Sequence, residues 1–505
     1  MSNEDTAQYR EFIFSLMREE HRPTALNDLK NFFTNRSAGE AVITMRDVGI
    51  SKIIQCVNVP DKNQLDLTCE VLKACFEKFD IGEVVKNYTS NIMYLLRHDK
   101  PCVRRLAVDE VYKVVATDPN LLPMPLYIDV YVAVAQLVKD SDLGVANKAV
   151  LISSNLPHQV YSKVLEEMKI ALEYNSSSKC NAYEIIINIS TKSCELFKIC
   201  TDLGYIDFMV SELEINDILY QLNILELLSR LAVKTYGINY LVESKALDKI
   251  AERIVDLKHN PLGSLLIPGY MKFFGCIAHH YPKNIFDKYP VLLDLLFDGF
   301  VCEDQNILLV SLDTLGFIGS TIEGKLCLAA IGARFNQSLE KAGEIARNSP
   351  TEIKIRALHC FASLISIEND PNTPRKGPVD HRVTLLTREW FRSMSKHPSS
   401  IYELYGICKN PFPEIKLAAL TLLDAVCQHQ WGFEMVGSIG GFLEYLLDRS
   451  VDYTKEAKEM KYDVIRRLAN SVAFEPNLLI RLQEYVEQGP FYSETNLEVA
   501  LEGED

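Results

Sequence analysis

Two segments of this 505-residue chain are nearly the same. Glu352-Ile353-Lys354-Ile355-Arg356-Ala357-Leu358 and Glu414-Ile415-Lys416-Leu417-Ala418-Ala419-Leu420 lie 62 residues apart. In the first copy Ile353, Ala357, Leu358, Phe361 and Leu364 recur at i, i+4, i+5, i+8 and i+11. That spacing is one broad stripe of an amphipathic helix. The same template anchors at Val103, Val145, Ser178, Tyr220, Leu266, Ile307, Ile353, Ile415 and Ala457, in steps of 42, 33, 42, 46, 41, 46, 62 and 42 residues. A helical period near 42 residues predicts an all-α fold, a HEAT/armadillo-type α-solenoid in which repeats stack into a superhelical array. Each repeat buries its apolar face only against its neighbours, so such a chain can grow past the size of a single core and present a long surface to other macromolecules.

The bulk chemistry fits that frame. A hydrophobic content of 48% excludes wholesale disorder. The net charge of −15 repels phosphate backbones, which argues against nucleic acid as a partner and is compatible with a basic protein. Thirteen cysteines include no CxxC pair, and Cys69, Cys75, Cys276, Cys360 and Cys427 fall inside apolar stripes. They read as small core residues of a reducing compartment rather than as disulfides or zinc ligands. The first residues, MSNEDTAQYREF, lack a signal peptide's apolar stretch, and no uncharged run is long enough to span a bilayer. The expected location is the cytoplasm, the nucleus, or both, and no membrane partner is expected.

Along the chain, residues 1–60 are expected to hold a helical cap and a first partial repeat, with Phe12, Leu16, Leu26 and Leu29 on apolar faces. Residues 61–260 lean towards armadillo repeats, because glycines precede apolar-periodic helices at Val48-Gly49-Ile50, Leu203-Gly204-Tyr205 and, later, Ile439-Gly440-Gly441. Ala246-Leu247-Asp248 is a version with alanine in place of glycine. Residues 261–489 look more like two-helix HEAT units. Helix starts are signalled at Pro101, Pro119, Pro261, Pro350 and Pro411. The 62-residue step contains a proline-rich stretch at 368–381, ENDPNTPRKGPVDH, expected to be a flexible loop. Residues 490–505 form an acidic tail expected to be disordered.

Motifs that could carry chemistry are few. Gly319 to Lys325 matches the first seven positions of the phosphate-binding GxxxxGK[ST], but Leu326 stands where the magnesium-binding hydroxyl belongs. The preceding residues fit the helical template rather than a strand, so a glycine turn between two helices is expected. His279-His280 has no third ligand at a suitable spacing. No catalytic residue, metal or cofactor is predicted. The C-terminal half is rich in aromatics, among them Tyr270, Phe273, Phe274, Trp390, Phe391, Phe412, Trp431, Tyr445, Tyr453 and Tyr462, which are core residues or interface anchors.

An interface can be sketched from helix phase. Where Ile206, Met209 and Leu213 point to the core, Asp207 and Glu212 should face out. Asp248, Glu252 and Asp256 are the equivalent set in the next unit, and Glu444 and Asp448 in a later one. This acidic ladder is the candidate surface for a basic partner.

Several stretches carry a more specific resemblance. Leu266-Ile267-Pro268-Gly269-Tyr270-Met271-Lys272-Phe273-Phe274-Gly275, Gly316-Phe317-Ile318-Gly319-Ser320 with Glu323-Gly324-Lys325, Asn410-Pro411-Phe412-Pro413-Glu414, Glu444 to Ser450, Ala457 to Ser471 and Gly489-Pro490-Phe491-Tyr492 resemble the family of proteasome non-ATPase regulatory subunit 5. The similarity is densest from about residue 262 to 492. It implies a non-enzymatic chaperone that assembles the base of the proteasome regulatory particle. Such a protein binds the C-terminal domain of a regulatory subunit 7 type ATPase, beside a neighbouring ATPase and a large scaffold subunit, and leaves before the particle is finished. No short motif marks its contact residues. An adaptor or transport receptor for a basic peptide is the alternative; it would want regularly spaced Asn and Trp, and only Trp390 and Trp431 are present.

Overall fold

A computed structural model describes residues 3–215, 217–257, 263–367, 380–395, 399–452, 454–471 and 473–493. These residues form an all-α solenoid of 31 α-helices with short 3₁₀ turns and no strand among them. No single helix among them is long and apolar enough to cross a membrane.

All nine template anchors sit at the third or fourth residue of a helix: Pro101–Thr117, Leu143–Ser154, Ser176–Ser190, Ile218–Ala232, Gly263–His280, Gln305–Gly319, Thr351–Ile365, Pro413–Val426 and Lys455–Ala469. Eight of the nine are buried, and Ile353 is half-buried. Helix starts follow local chemistry. Pro101 and Pro413 occupy first-turn positions, where a missing N–H costs nothing. Asp142, Asn175, Asp304 and Thr454 cap their helices by accepting backbone N–H groups. Pro119 instead opens a 3₁₀ turn, Pro119–Leu121, and Pro261 lies outside the described residues.

The chain divides into two compact units, residues 1–231 and 232–505. In the first, Arg22–Asn35, Lys62–Phe76, Pro101–Thr117, Leu143–Ser154 and Ser176–Ser190 pack in succession. In the second, Gly263–His280, Gln305–Gly319, Thr351–Ile365, Pro413–Val426 and Lys455–Ala469 do the same, and Pro476–Gln488 covers the last. Phe12 is half-buried, while Leu16, Leu26 and Leu29 of the N-terminal cap are buried.

Helix triplets occur in both units, and in the first Ala38–Val48, Ser51–Gln55 and Lys62–Phe76 are one of them. The first unit includes pairs, such as Tyr161–Leu172 with Ser176–Ser190. The second is built from triplets, such as Pro282–Lys288, Pro290–Asp298 and Gln305–Gly319. Triplet corners here are often turned by Pro282, Pro290 or Gly332 rather than by a glycine just before an apolar stripe. Where glycine was expected it does take the left-handed conformation, at φ +75° for Gly204 and +81° for Gly441. In the alanine version the left-handed residue is Lys245, at φ +59°. The 368–381 loop falls outside the described residues up to 379, and the tail does so from 494.

Candidate partner interface

In the C-terminal unit the middle helices of successive triplets lie side by side. Ala246–Leu257 packs on Pro290–Asp298, which packs on Ala333–Asn348. Further along, Ser400–Cys408 meets Phe442–Leu447 through Tyr405 and Phe442, whose rings are 4.5 Å apart. The core side of Ala246–Leu257 is Ala246, Leu247, Ile250, Ala251, Ile254 and Leu257. That phase turns Asp248, Glu252 and Asp256 to solvent, one turn apart. Asp248 accepts a hydrogen bond from Tyr289 Oη at 2.9 Å. Glu252 and Asp256 have no ion-pair partner among the described residues, so three like charges share one stripe. Glu444 is also exposed, with Arg481 Nη1 3.9 Å away. Asp448 is exposed but occupied: it accepts Ser450 N at 2.9 Å and Ser450 Oγ at 2.7 Å, which hold its carboxyl below the usual range.

In the N-terminal unit Asp207 is exposed on Tyr205–Ser211. Glu212 is not a free surface charge. It opens a 3₁₀ turn, Glu212–Glu214, its side chain is 13% exposed, and Lys179 Nζ lies 2.9 Å from it. The helical phase that pointed Glu212 outward ends one residue earlier, at Ser211.

Sequence reasoning missed an internal charge ladder. Arg104 pairs with Asp140, Arg105 with Asp142, Lys148 with Asp109, Arg356 with Asp313 and Arg467 with Asp424. Arg334 reaches both Asp294 and Asp298. Partners stand between 36 and 43 residues apart, which is one repeat, so opposite charges at that separation were the available signal. Each of these pairs ties one repeat to the next. The stripe on Ala246–Leu257 stands out against them.

The remaining candidates resolve into structure. Lys325 is fully buried on Ile322–Ile331 and donates to the Gly319 and Ser363 carbonyls. A side chain at Gly324 would place its Cβ 1.9 Å from Ile318 O, so the glycine permits a tight helix-to-helix corner, not a phosphate cradle. His279 stacks on Phe317 at 4.0 Å with its Nδ1 2.7 Å from Phe317 O, which joins two repeats. Among the described residues no group of three His, Cys, Asp or Glu side chains could hold a metal ion. Tyr270, Phe273, Phe274, Trp390, Phe391 and Trp431 are core. Phe412 is 58% exposed, and Lys409 Nζ sits 3.8 Å over the Tyr405 ring beside half-buried Tyr445. Tyr453 lies outside the described residues. With both tryptophans buried, neither can serve a peptide-binding ladder of exposed indoles.

Comparison with known proteins adds what geometry cannot. A family model described as "Proteasome non-ATPase 26S subunit" matches residues 6–505. The chain is 28% identical to the Bos taurus 26S proteasome non-ATPase regulatory subunit 5, over 97% of this chain and 98% of the relative. It is 28% identical to the Homo sapiens protein of that name over 90% and 91% of the two chains, and 27% identical to the Drosophila melanogaster one over 97% and 96%. Among solved structures it is similar to importin beta, with a TM-score of 0.58 at 15% identity over 92% of this chain and 62% of that one. It is also similar to Kap95p, with a TM-score of 0.53 at 11% identity over 96% and 67%. At those identities the likeness is one of fold.

Proposed function

Because the chain belongs to the proteasome non-ATPase 26S subunit family, we propose that it is an assembly chaperone for the base of the proteasome regulatory particle. In this reading it binds the C-terminal domain of a regulatory subunit 7 type ATPase, together with a neighbouring base ATPase and a large base scaffold subunit. It departs before the proteasome matures, and it acts in the cytoplasm, the nucleus, or both. It binds neither nucleic acid nor membrane, and is a monomer when free.

The observation that carries the proposal is the family match across residues 6–505. Family and fold are both of non-catalytic kinds. The work is therefore steric and thermodynamic: a rigid surface holds an immature subunit until stronger contacts replace it. The acidic stripe Asp248, Glu252 and Asp256, with Glu444 and Asp448 further along the same unit, is the surface offered to a basic patch on the ATPase, and Asp207 is a separate exposed candidate on the N-terminal unit. Glu212 takes no part, because it serves Lys179.

The test is direct binding of the purified chain to the isolated C-terminal domain of that ATPase, at two salt concentrations. Saturable binding that weakens with salt supports the proposal. No binding at micromolar concentrations refutes it.

A further inference from the structure

The C-terminal ends of four successive long helices in the second unit are joined by polar side chains. Gly319, which ends Gln305–Gly319, accepts from Lys325 Nζ. The same ammonium donates to Ser363 O at 3.2 Å, in the last turn of Thr351–Ile365. From the opposite side His429 Nε2 meets Ile365 O at 2.8 Å. Gln428 Oε1 accepts from Ser366 Oγ at 3.0 Å and Ile367 N at 2.8 Å. Gln428 Nε2 reaches Asp424 Oδ2 at 3.4 Å, and Asp424 holds Arg467 Nε at 2.6 Å. The contacts thus run unbroken from Gly319 to Arg467.

A helix leaves its last four carbonyls without partners in its own backbone. In a solenoid each repeat contacts only its nearest neighbours. Here one helix end is finished from both sides. Lys325 comes from the repeat before, and Gln428 and His429 from the repeat after. Lys325 and His429 are 0% and 3% exposed, so water cannot replace either if that end shifts. Burial pushes Lys325 down and no carboxylate offsets it, while His429 is pushed down by burial and by Lys325 itself. Asp424, the acid of the seam, is turned to Arg467 and Gln428. The seam also crosses the place where the 42-residue period is broken, since Ile367 is the last described residue before 380.

We propose that this seam makes the repeats from Gln305 to Ala469 open as one coupled block across the insertion, rather than as independent neighbours. The experiment is native-state hydrogen exchange on the full chain carrying Gln428→Ala, whose side chain is half-buried and outside the apolar core. The expected result is faster exchange, by about fivefold or more, in both Ile322–Ile331 and Lys455–Ala469, because Gln428→Ala removes the bonds to Ser366, Ile367 and Asp424 and even one such hydrogen bond is worth on the order of 1 kcal/mol. Ala246–Leu257 should not change. Faster exchange confined to Gln430–Gly437 and the last turn of Thr351–Ile365 would overturn the proposal. So would a uniform rise through Ala246–Leu257. Ser366→Ala, which removes a single donor, gives the same readout if Gln428→Ala does not fold.

Discussion

Arg104 and Asp140 stand one repeat apart and meet side by side, with Nε 2.5 Å from Oδ2 and Nη2 2.6 Å from Oδ1. Their side chains are 12% and 3% exposed. Arg104 also donates to His98 O and Asp99 O, and Asp140 accepts Asp142 N, so both charges are fully used. Arg104→Ala would strand a buried carboxylate, and a loss of about 3 kcal/mol is expected in the N-terminal unit. Asp140→Ala should cost a similar amount, and the double variant less than the sum. Denaturant midpoints of the three variants check this; additive losses would mean that the pair is not a unit.

Lys325 makes stability depend on pH in a predictable direction. Burial lowers its pKa from the ordinary 10.5 to about 7. The unfolded chain therefore holds this proton where the folded chain has released it. Stability should rise with pH between about 7 and 10.5, by at most ~1.4 kcal/mol per pH unit from this group. The parent should gain stability relative to Lys325→Met as pH rises from 7 towards 10, on top of the pH-independent cost of leaving the Gly319 and Ser363 carbonyls without their donor. Unfolding curves of both proteins at pH 7, 8 and 9 provide the measurement, and a constant difference would show that Lys325 does not titrate there.

The stripe on Ala246–Leu257 predicts opposite effects on stability and binding. Glu252 lies one turn from both Asp248 and Asp256, and like charges at that spacing repel by roughly 0.2–0.5 kcal/mol per pair. Glu252→Lys should leave the melting temperature unchanged or slightly higher while weakening the ATPase complex. Glu444→Lys should behave likewise, whereas Asp448→Lys also removes the cap on Ser450 and should cost about 1 kcal/mol of stability. Affinity that is unaltered in Glu252→Lys and Glu444→Lys would remove both residues from the interface.

Leu420 is fully buried in Pro413–Val426, at the position equivalent to Leu358 in the repeated segment. Leu420→Asp should cost several kcal/mol, since it takes a carboxylate out of water into an apolar helix face. Loss of helical signal at a lower temperature, starting in the C-terminal unit, would confirm it.

The repeat was legible because apolar spacing alone specifies it: nine anchors, taken from one duplicated heptapeptide, each begin a long helix. The helix start at Pro101 was legible for the same local reason, whereas the signal read at Pro411 falls two residues before the helix, which begins at Pro413. Partnerships across repeats were not read, although Arg104–Asp140 and Arg467–Asp424 lie one period apart. Pairing depends on two helix phases at once, and an error of one residue, as at Glu212, turns a free surface charge into a half-buried, paired one. Lys245 escaped because a left-handed lysine leaves no trace in composition. Of the proposed interface, exposure was right for Asp207, Asp248, Glu252, Asp256, Glu444 and Asp448. What binds there is not written in helix phase, and it rests on the family.

The measurement that bears most directly on that assignment is affinity isolation of the tagged full chain from its own cells, with identification of the proteins that accompany it. The account predicts one or two proteasomal ATPases and a large base scaffold subunit, without the proteolytic core. Recovery of intact proteasome, or of no proteasomal protein at all, would contradict it.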